Sequence, residues 1–365
     1  MRAGIIGGGV IRDIYLKNLT GKYTNPVFTA CADIRPEAAH KRAEEYGIRA
    51  MSVEEILSDP HIDLILNLTT PLNHTQISLQ ALEHNKHVFS EKPLAVTLED
   101  GKRILDAARE RGLQVGCAPD TFLGAGLQTA FKALRSGWIG EPVAAAAFWS
   151  SRGHERWHGN PGFYYTAGGG PHFDMGPYYI TALVNALGRV RRVNAISRRT
   201  FPQRLVTAEG PMHGARIPVE VETHLSASLE FDSGVIATVL MSFDLWSTNL
   251  PRLELYGTAG TLCAPDPNFF DGPVKIRTQY DDAFREIPLV NPFTGNARGL
   301  GLAQMCQAIE NGGSIRSCGE QALHVLEVIE AIDTAGRTGK CVFCETPYDP
   351  SELLPTGLQE PLYGF

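Results

Sequence analysis

The chain has 365 residues, 43% apolar and 20% charged, with a formal net charge of −7. At roughly 150 residues per domain this makes about two domains, each able to bury a core, so disorder is excluded as the main state. Lys and Arg (33) are outnumbered by Asp and Glu (40), which argues against nucleic acid as a partner, and no run of about 18 apolar residues marks a membrane span.

Met1-Arg2-Ala3-Gly4 runs straight into a strand pattern without a signal peptide, so a soluble, cytoplasmic protein with small-molecule partners is expected. Up to about residue 118, short apolar runs alternate with longer stretches of helical periodicity, the pattern of a parallel sheet with crossover helices. The expected strands are Ala3 to Ile6, Val27 to Ala32, Leu64 to Leu68, His87 to Phe89 and Leu113 to Cys117. Ser52-Val53-Glu54-Glu55 reads as a capping box, and Thr97-Leu98-Glu99-Asp100 as another whose helix stops at Gly112.

After Asp120 the pattern changes. A helix over Gly126 to Arg135 precedes the β-rich runs Val219 to Phe231 and Val235 to Phe243, joined as a hairpin by Asp232-Ser233-Gly234. Strands at Arg252 to Tyr256, Thr261 to Ala264 and Val274 to Thr278 follow, and helices around Leu300 to Glu310 and Glu320 to Ala335 close the chain. Strands in succession imply an antiparallel sheet. The chain is therefore read as an α/β protein with an N-terminal domain over 1–120 and a second α/β domain over 121–365. The seven cysteines are too few and scattered for a disulfide scaffold, and Cys341-x-x-Cys344 lacks a second pair to complete a zinc site.

Gly4-Ile5-Ile6-Gly7-Gly8-Gly9-Val10-Ile11-Arg12 follows the first strand and opens a helix. Glycine at Gly7 serves a tight turn and at Gly9 a close approach of backbone to a pyrophosphate at the helix N-terminus, with Val10 and Ile11 beside it. The third position of the G-x-G-x-x-G pattern is Arg12 rather than Gly or Ala, and an outward-pointing Arg12 would reach a phosphate. Asp33, 21 positions on at the end of the next strand, suits the ribose hydroxyls and favours NAD. With Ile34 and Arg35 it completes the expected adenosine end, and Arg35 leaves NADP as the less favoured cofactor.

With Ser90-Glu91-Lys92-Pro93, the segment Thr69-Thr70-Pro71-Leu72-Asn73-His74 and the run Gly168 to Tyr178 containing Asp174-Met175-Gly176-Pro177-Tyr178, the chain resembles the Gfo/Idh/MocA oxidoreductases over nearly its whole length. The resemblance implies a Rossmann domain followed by an α/β domain with an open, mainly antiparallel sheet, assembled as a homodimer or homotetramer. It implies NAD(P)-dependent redox chemistry on sugars or polyols. Lys92 is implied to reach the nicotinamide ribose and the reacting hydroxyl, Glu91 to lie in the cofactor cleft, and Thr69, Thr70 and Pro71 to wall the nicotinamide. His74 matches a histidine that commonly follows there, and also reads as a first-turn helix residue. The family's D-x-G-x-H histidine is replaced by Tyr178, which leaves three readings of that residue: proton acceptor with Asp174, binder of a sugar hydroxyl, or packing. His172 is a spare base, placed beside Asp174 by strand-like alternation.

The loop Arg152 to Tyr165 is dense in His, Trp and Tyr, which suits a pyranose, because aromatic faces cover its C–H side while polar groups bond its hydroxyls. His154, Trp157, His158 and Tyr164, with Asp120 at the domain junction, are the further substrate candidates. His154 and His158 are not read as metal ligands, because the glycines around them argue for a loop. Trp246 reads as core, or else as a second wall of that site. The leading reading is a sugar or polyol dehydrogenase. Two alternatives stand beside it: a lyase or glycoside-processing enzyme that retains its cofactor through transient C3 oxidation, and a non-catalytic NAD(H) sensor.

Overall fold

Strand β1 (Arg2–Ile6) is buried along Ala3 to Ile6, as a strand covered on both faces by helices must be. The computed structural model describes residues 1–7 and 11–356. After β1 come α1 (Arg12–Gly21), β2 (Val27–Ala32), α2 (Pro36–Tyr46), β3 (Arg49–Ala50), α3 (Val53–Ser58), β4 (Leu64–Asn67), α4 (Pro71–Glu83), β5 (His87–Ser90), α5 (Leu98–Arg111) and β6 (Val115–Cys117). The strands form one parallel sheet in the order β3-β2-β1-β4-β5-β6. The order reverses at β1, so the carboxyl ends of β1 and β4 flank the crevice where such sheets bind nucleotides. Both expected helix starts carry their caps: Ser52 and Glu55 bond reciprocally, and Thr97 accepts from the Asp100 amide, with Gly112 left-handed at the far end.

The chain forms two compact units whose boundary does not fall at a single point near residue 120. The first unit comprises Met1–Gln128, Val290–Leu326 and the segment from Ser351, and the second comprises Thr129–Leu289 and Glu327–Pro350. The return of the C-terminal segment has clear causes. Cys117 N donates to Ser317 O at 2.9 Å, Ala125 N to Phe293 O at 2.9 Å, and the buried Tyr23 hydroxyl to Ala297 O at 2.9 Å.

The remaining elements are α6 (Ala125–Arg135), β7 (Pro142–Ser150), α7 (Pro171–Asp174), α8 (Gly176–Leu187), β8 (Val190–Arg198), β9 (Gln203–Leu205), β10 (Arg216–Pro218), β11 (His224–Phe231), β12 (Ile236–Ser242), β13 (Leu253–Gly257), β14 (Gly260–Ala264), β15 (Val274–Thr278), β16 (Arg285–Ile287), α9 (Leu300–Asn311), α10 (Gly319–Thr338) and β17 (Val342–Phe343). In the second unit a nine-stranded sheet runs β16-β15-β14-β13-β7-β12-β11-β8-β17. It is mainly antiparallel, with β7 and β12 paired in parallel. The expected hairpin joins β11 to β12, with Gly234 at φ +84°. β9 and β10 form a separate ribbon.

Candidate functional site

In the first unit the nucleotide elements surround a cavity of about 570 Å³ lined among others by Gly7, Asp33, Ile34, Arg35, Thr69 and Thr70. Gly7 has φ +108°, and a Cβ there would sit 2.5 Å from the Leu68 carbonyl, so only glycine lets β1 and β4 end this close together. Gly9 and Val10 lie outside the described residues, and Ile11 is the N-cap of α1. The outward reading of Arg12 is overturned. Arg12 is buried, and its Nη1 donates to Asp33 Oδ2 at 3.2 Å. A guanidinium without water around it needs a carboxylate, and Asp33 supplies it. Asp33 Oδ1 accepts the Arg35 amide at 3.0 Å, while Ile34 and the Arg35 side chain stand in solvent. This glycine cradle and carboxylate fit a bound NAD.

Asn67, which sequence reasoning missed, organises the loop after β4. Its Oδ1 accepts the Thr69 hydroxyl at 2.7 Å and the Thr69 amide at 3.2 Å, while its Nδ2 donates to His74 O at 3.1 Å. Thr70 is the N-cap of α4 and Pro71 its first residue. His74 is the buried first-turn residue instead of a group open to ligand: its Nδ1 lies 2.6 Å from Pro93 O and its Nε2 3.1 Å from Thr69 O. Burial holds the imidazole below its usual range, so the neutral ring donates once, to the nearer Pro93 carbonyl. That bond ties α4 to the turn that carries Lys92. Glu91 is buried beneath the same turn, accepting the Tyr15 hydroxyl at 2.9 Å and the Lys92 amide at 3.0 Å, and Lys92 is half-buried. Burial, then the Glu91 charge, pushes the Tyr15 phenol well above its ordinary value.

Asp120 departs from the expectation of a substrate ligand. It is 1% exposed, and its Oδ2 accepts the amides of Gly299 at 2.8 Å and Gly301 at 3.0 Å, so it caps α9.

In the second unit the Gly168-Gly169-Gly170 run permits a close approach. A Cβ on Gly169 would meet Tyr164 O at 2.6 Å, and the Gly170 amide donates to that carbonyl at 2.8 Å. The approach brings the aromatic loop against α7. His154, which is buried, places Nε2 2.7 Å from Asp174 Oδ2, and Trp157 Nε1 donates to His154 Nδ1 at 3.1 Å. An indole N–H only donates, so Nδ1 accepts and the neutral ring carries its proton on Nε2, aimed at the carboxylate. Tyr164 packs its ring 4.2 Å from that of His154. His158 accepts the Asn160 amide at 3.1 Å, and burial lowers its pKa. Tyr178, in the first turn of α8, is 8% exposed.

Two expectations are corrected here. Residues 171–174 are helical, so His172 does not alternate with Asp174 along a strand; it is buried with Nε2 3.4 Å from Asp333 Oδ1. Trp246 is not core, being 70% exposed under the guanidinium groups of Arg152 and Arg156. The buried Arg204, bonded to Glu155 and Asp244, was also missed.

Family models for the oxidoreductase family with an NAD-binding Rossmann fold and for the Gfo/Idh/MocA C-terminal domain match residues 1–118 and 127–263. A 1,5-anhydro-D-fructose reductase of Ensifer adhaerens is 29% identical over 314 residues, 85% of this chain and 88% of that protein. A levoglucosan dehydrogenase of Pseudarthrobacter phenanthrenivorans is 24% identical over 256 residues, 65% of this chain and 64% of that protein. Among solved structures, a levoglucosan dehydrogenase in complex with NADH superposes with a TM-score of 0.81 at 21% identity, over 95% of this chain and 99% of that one. The chain belongs to the Gfo/Idh/MocA oxidoreductase family, with an NAD-binding Rossmann domain and a C-terminal domain built on a mainly antiparallel sheet.

Proposed function

We propose that the protein is an NAD-dependent dehydrogenase that moves a hydride between the nicotinamide and a secondary hydroxyl or ketone of a sugar, polyol or sugar derivative. The relatives named as anhydrosugar reductase and sugar dehydrogenase support the substrate class. The observation that carries the reading is the pinned Asp174, whose partner His154 is itself held in one tautomer by Trp157. A carboxylate held at the end of such a chain is a positioned group, as proton-transfer chemistry requires.

Bound NAD supplies the hydride acceptor. Asp33 holds the ribose hydroxyls and disfavours a 2'-phosphate, which sets NAD over NADP. The Lys92 ammonium, on a turn fixed by His74 and Glu91, stabilises alkoxide character on the reacting oxygen, a charge-stabilising role that needs no metal. Tyr178 takes the hydroxyl proton. A phenol is a weak base near neutrality, so a base of this kind needs a cationic group at the reacting oxygen. Trp157, His158 and Tyr164 cover and bond the sugar ring.

The test is NADH formation from NAD or NADP across monosaccharides, inositols, anhydrosugars and glycosides, with wild type, Lys92→Ala and Tyr178→Phe. The expected result is turnover with NAD that falls about a hundredfold or more in Tyr178→Phe, the scale of a lost general base. Lys92→Ala retaining most activity at saturating substrate refutes the mechanism. No turnover by protein that copurifies with NAD(H) replaces it with a reaction in which the cofactor is not consumed.

A further inference from the structure

Beside the His154 turn, the second unit holds a cavity of about 290 Å³ whose lining includes Arg152, Arg156, Arg204, Arg216, Glu155 and Phe201. Its charges do not balance. Glu155 accepts the Tyr165 hydroxyl and Arg204 Nη1, and Asp244, close by, accepts Arg204 Nη2 and the Thr223 hydroxyl. Both carboxylates are therefore engaged by Arg204 and its neighbours. Among the described residues, Arg152, Arg156 and Arg216 form no ion pair.

Instead, the Arg152 and Arg156 guanidinium carbons lie 5.0 and 4.7 Å from the centroid of the same Trp246 ring, and Arg152 also lies 4.9 Å from the centre of Phe201. Stacking like charges on one indole brings them close enough to repel. Arg152 Nη1 is buried without a hydrogen-bond partner, and so is Nε of Arg204, a side chain only 4% exposed. Buried N–H groups are rarely left unmatched in a native fold. Both features call for an acceptor-rich anion.

We propose that this cavity binds the oxyanion of a small molecule, a carboxylate or a phosphate, against Arg152, Arg156 and Arg216. Guanidinium forks match the geometry of both groups and bond them in pairs. A cavity of about 290 Å³ takes a compact polar group. Because Glu155 and Arg156 share a single turn with His154, an acidic sugar lying against His154 is placed to reach the cavity; that assignment of the anion to the substrate rests on the dehydrogenase reading, whereas the anion site does not.

The experiment is a titration at constant ionic strength with inorganic phosphate, D-glucuronate, D-glucose and chloride, read by tryptophan fluorescence with Trp246→Phe as the control for the reporter. Phosphate and glucuronate are expected to give saturable changes that glucose and chloride do not. Arg152→Gln and Arg156→Gln, at a half-buried and an exposed position respectively, are expected to weaken these anions tenfold or more while the melting temperature holds. Equal responses to chloride, or unchanged affinities in both variants, overturn the site. NAD reduction faster with glucuronate than with glucose, the advantage vanishing in Arg156→Gln, puts the anion on the substrate. Phosphate binding without that advantage puts it on a separate ligand of the same cavity. Absence of turnover with every sugar counts against the dehydrogenase reading alone.

Discussion

Asp120 offers a test of the physics that joins the C-terminal segment to the Rossmann sheet. Burial raises its carboxyl from 3.8 to about 6, against the opposing pull of the Gly301 amide, the Arg298 charge and the Gly299 amide, with the Glu91 charge adding to the rise. The folded state thus prefers the protonated acid. The stability it contributes is complete below pH 3.8 and is lost as pH rises toward about 6. At about 1.4 kcal/mol per pH unit the whole displacement amounts to about 3 kcal/mol. Both amides bond the same oxygen, Oδ2, so the single carbonyl oxygen of an asparagine is able to keep them while the buried charge disappears. Asp120→Asn is accordingly expected to match wild type near pH 4 and to exceed it by up to about 3 kcal/mol near pH 7.5. Urea midpoints of both proteins across that range, converted with a common slope, measure the difference. A variant less stable than wild type at pH 7.5, or a gap that does not grow with pH, refutes the account.

The nucleotide cradle makes two more predictions. Gly7→Ala forces a Cβ into the Leu68 carbonyl at positive φ; the cost of about 1–3 kcal/mol is expected to appear as weaker NADH binding by about tenfold to a hundredfold, read from bound-NADH fluorescence, and unchanged affinity rules it out. Asp33→Ser removes the carboxylate and leaves Arg12 and Arg35 to face a 2'-phosphate, so the NADP-to-NAD ratio of kcat/KM is expected to rise at least about tenfold, while a fixed ratio removes Asp33 from cofactor choice. In the second unit, Trp157→Phe deletes the donor to His154 Nδ1; loss of one neutral hydrogen bond, about 0.5–1.5 kcal/mol, predicts a fall in kcat of roughly twofold to tenfold, and a fall in affinity for substrate with kcat intact assigns Trp157 to binding alone.

Elements that announce themselves locally were readable. The capping residues Ser52 and Thr97, the glycine at Gly112 and the hairpin at Gly234 act within a few positions of their partners, and all fall where the sequence places them. β7 was hidden because its Ala144 to Ala147 run carries little strand preference; it is held as a central strand by β12 and β13 on either side. α8 was hidden for the opposite reason, since a helix buried nearly all round shows no polar face to mark its period. Residues misread in role are those whose partners are remote in the chain. Asp120 bonds amides about 180 residues away, and Trp246, which follows β12, meets Arg152 and Arg156, which follow the neighbouring strand β7 far earlier in the chain.

Asp33 and Asp174 show the same dependence on partners from elsewhere in the chain. From the sequence alone Asp33 is a ribose ligand, Asp174 the partner of Tyr178 in proton transfer, and Arg12 a departure from the glycine pattern aimed at a phosphate. In the fold each carboxylate already has a basic partner, Arg12 from the glycine pattern for Asp33 and His154 from the aromatic loop for Asp174. For Asp33, the partner occupies one oxygen and leaves the strand-end carboxylate oriented before a ribose arrives; orientation that precedes binding lowers its entropic cost. For Asp174, a donor fixed in one tautomer orients the carboxylate in the same way. Tyr178 stands where the family's motif has histidine. An imidazole still stands at the carboxylate, provided by the aromatic loop through His154 instead of by the helix that follows it.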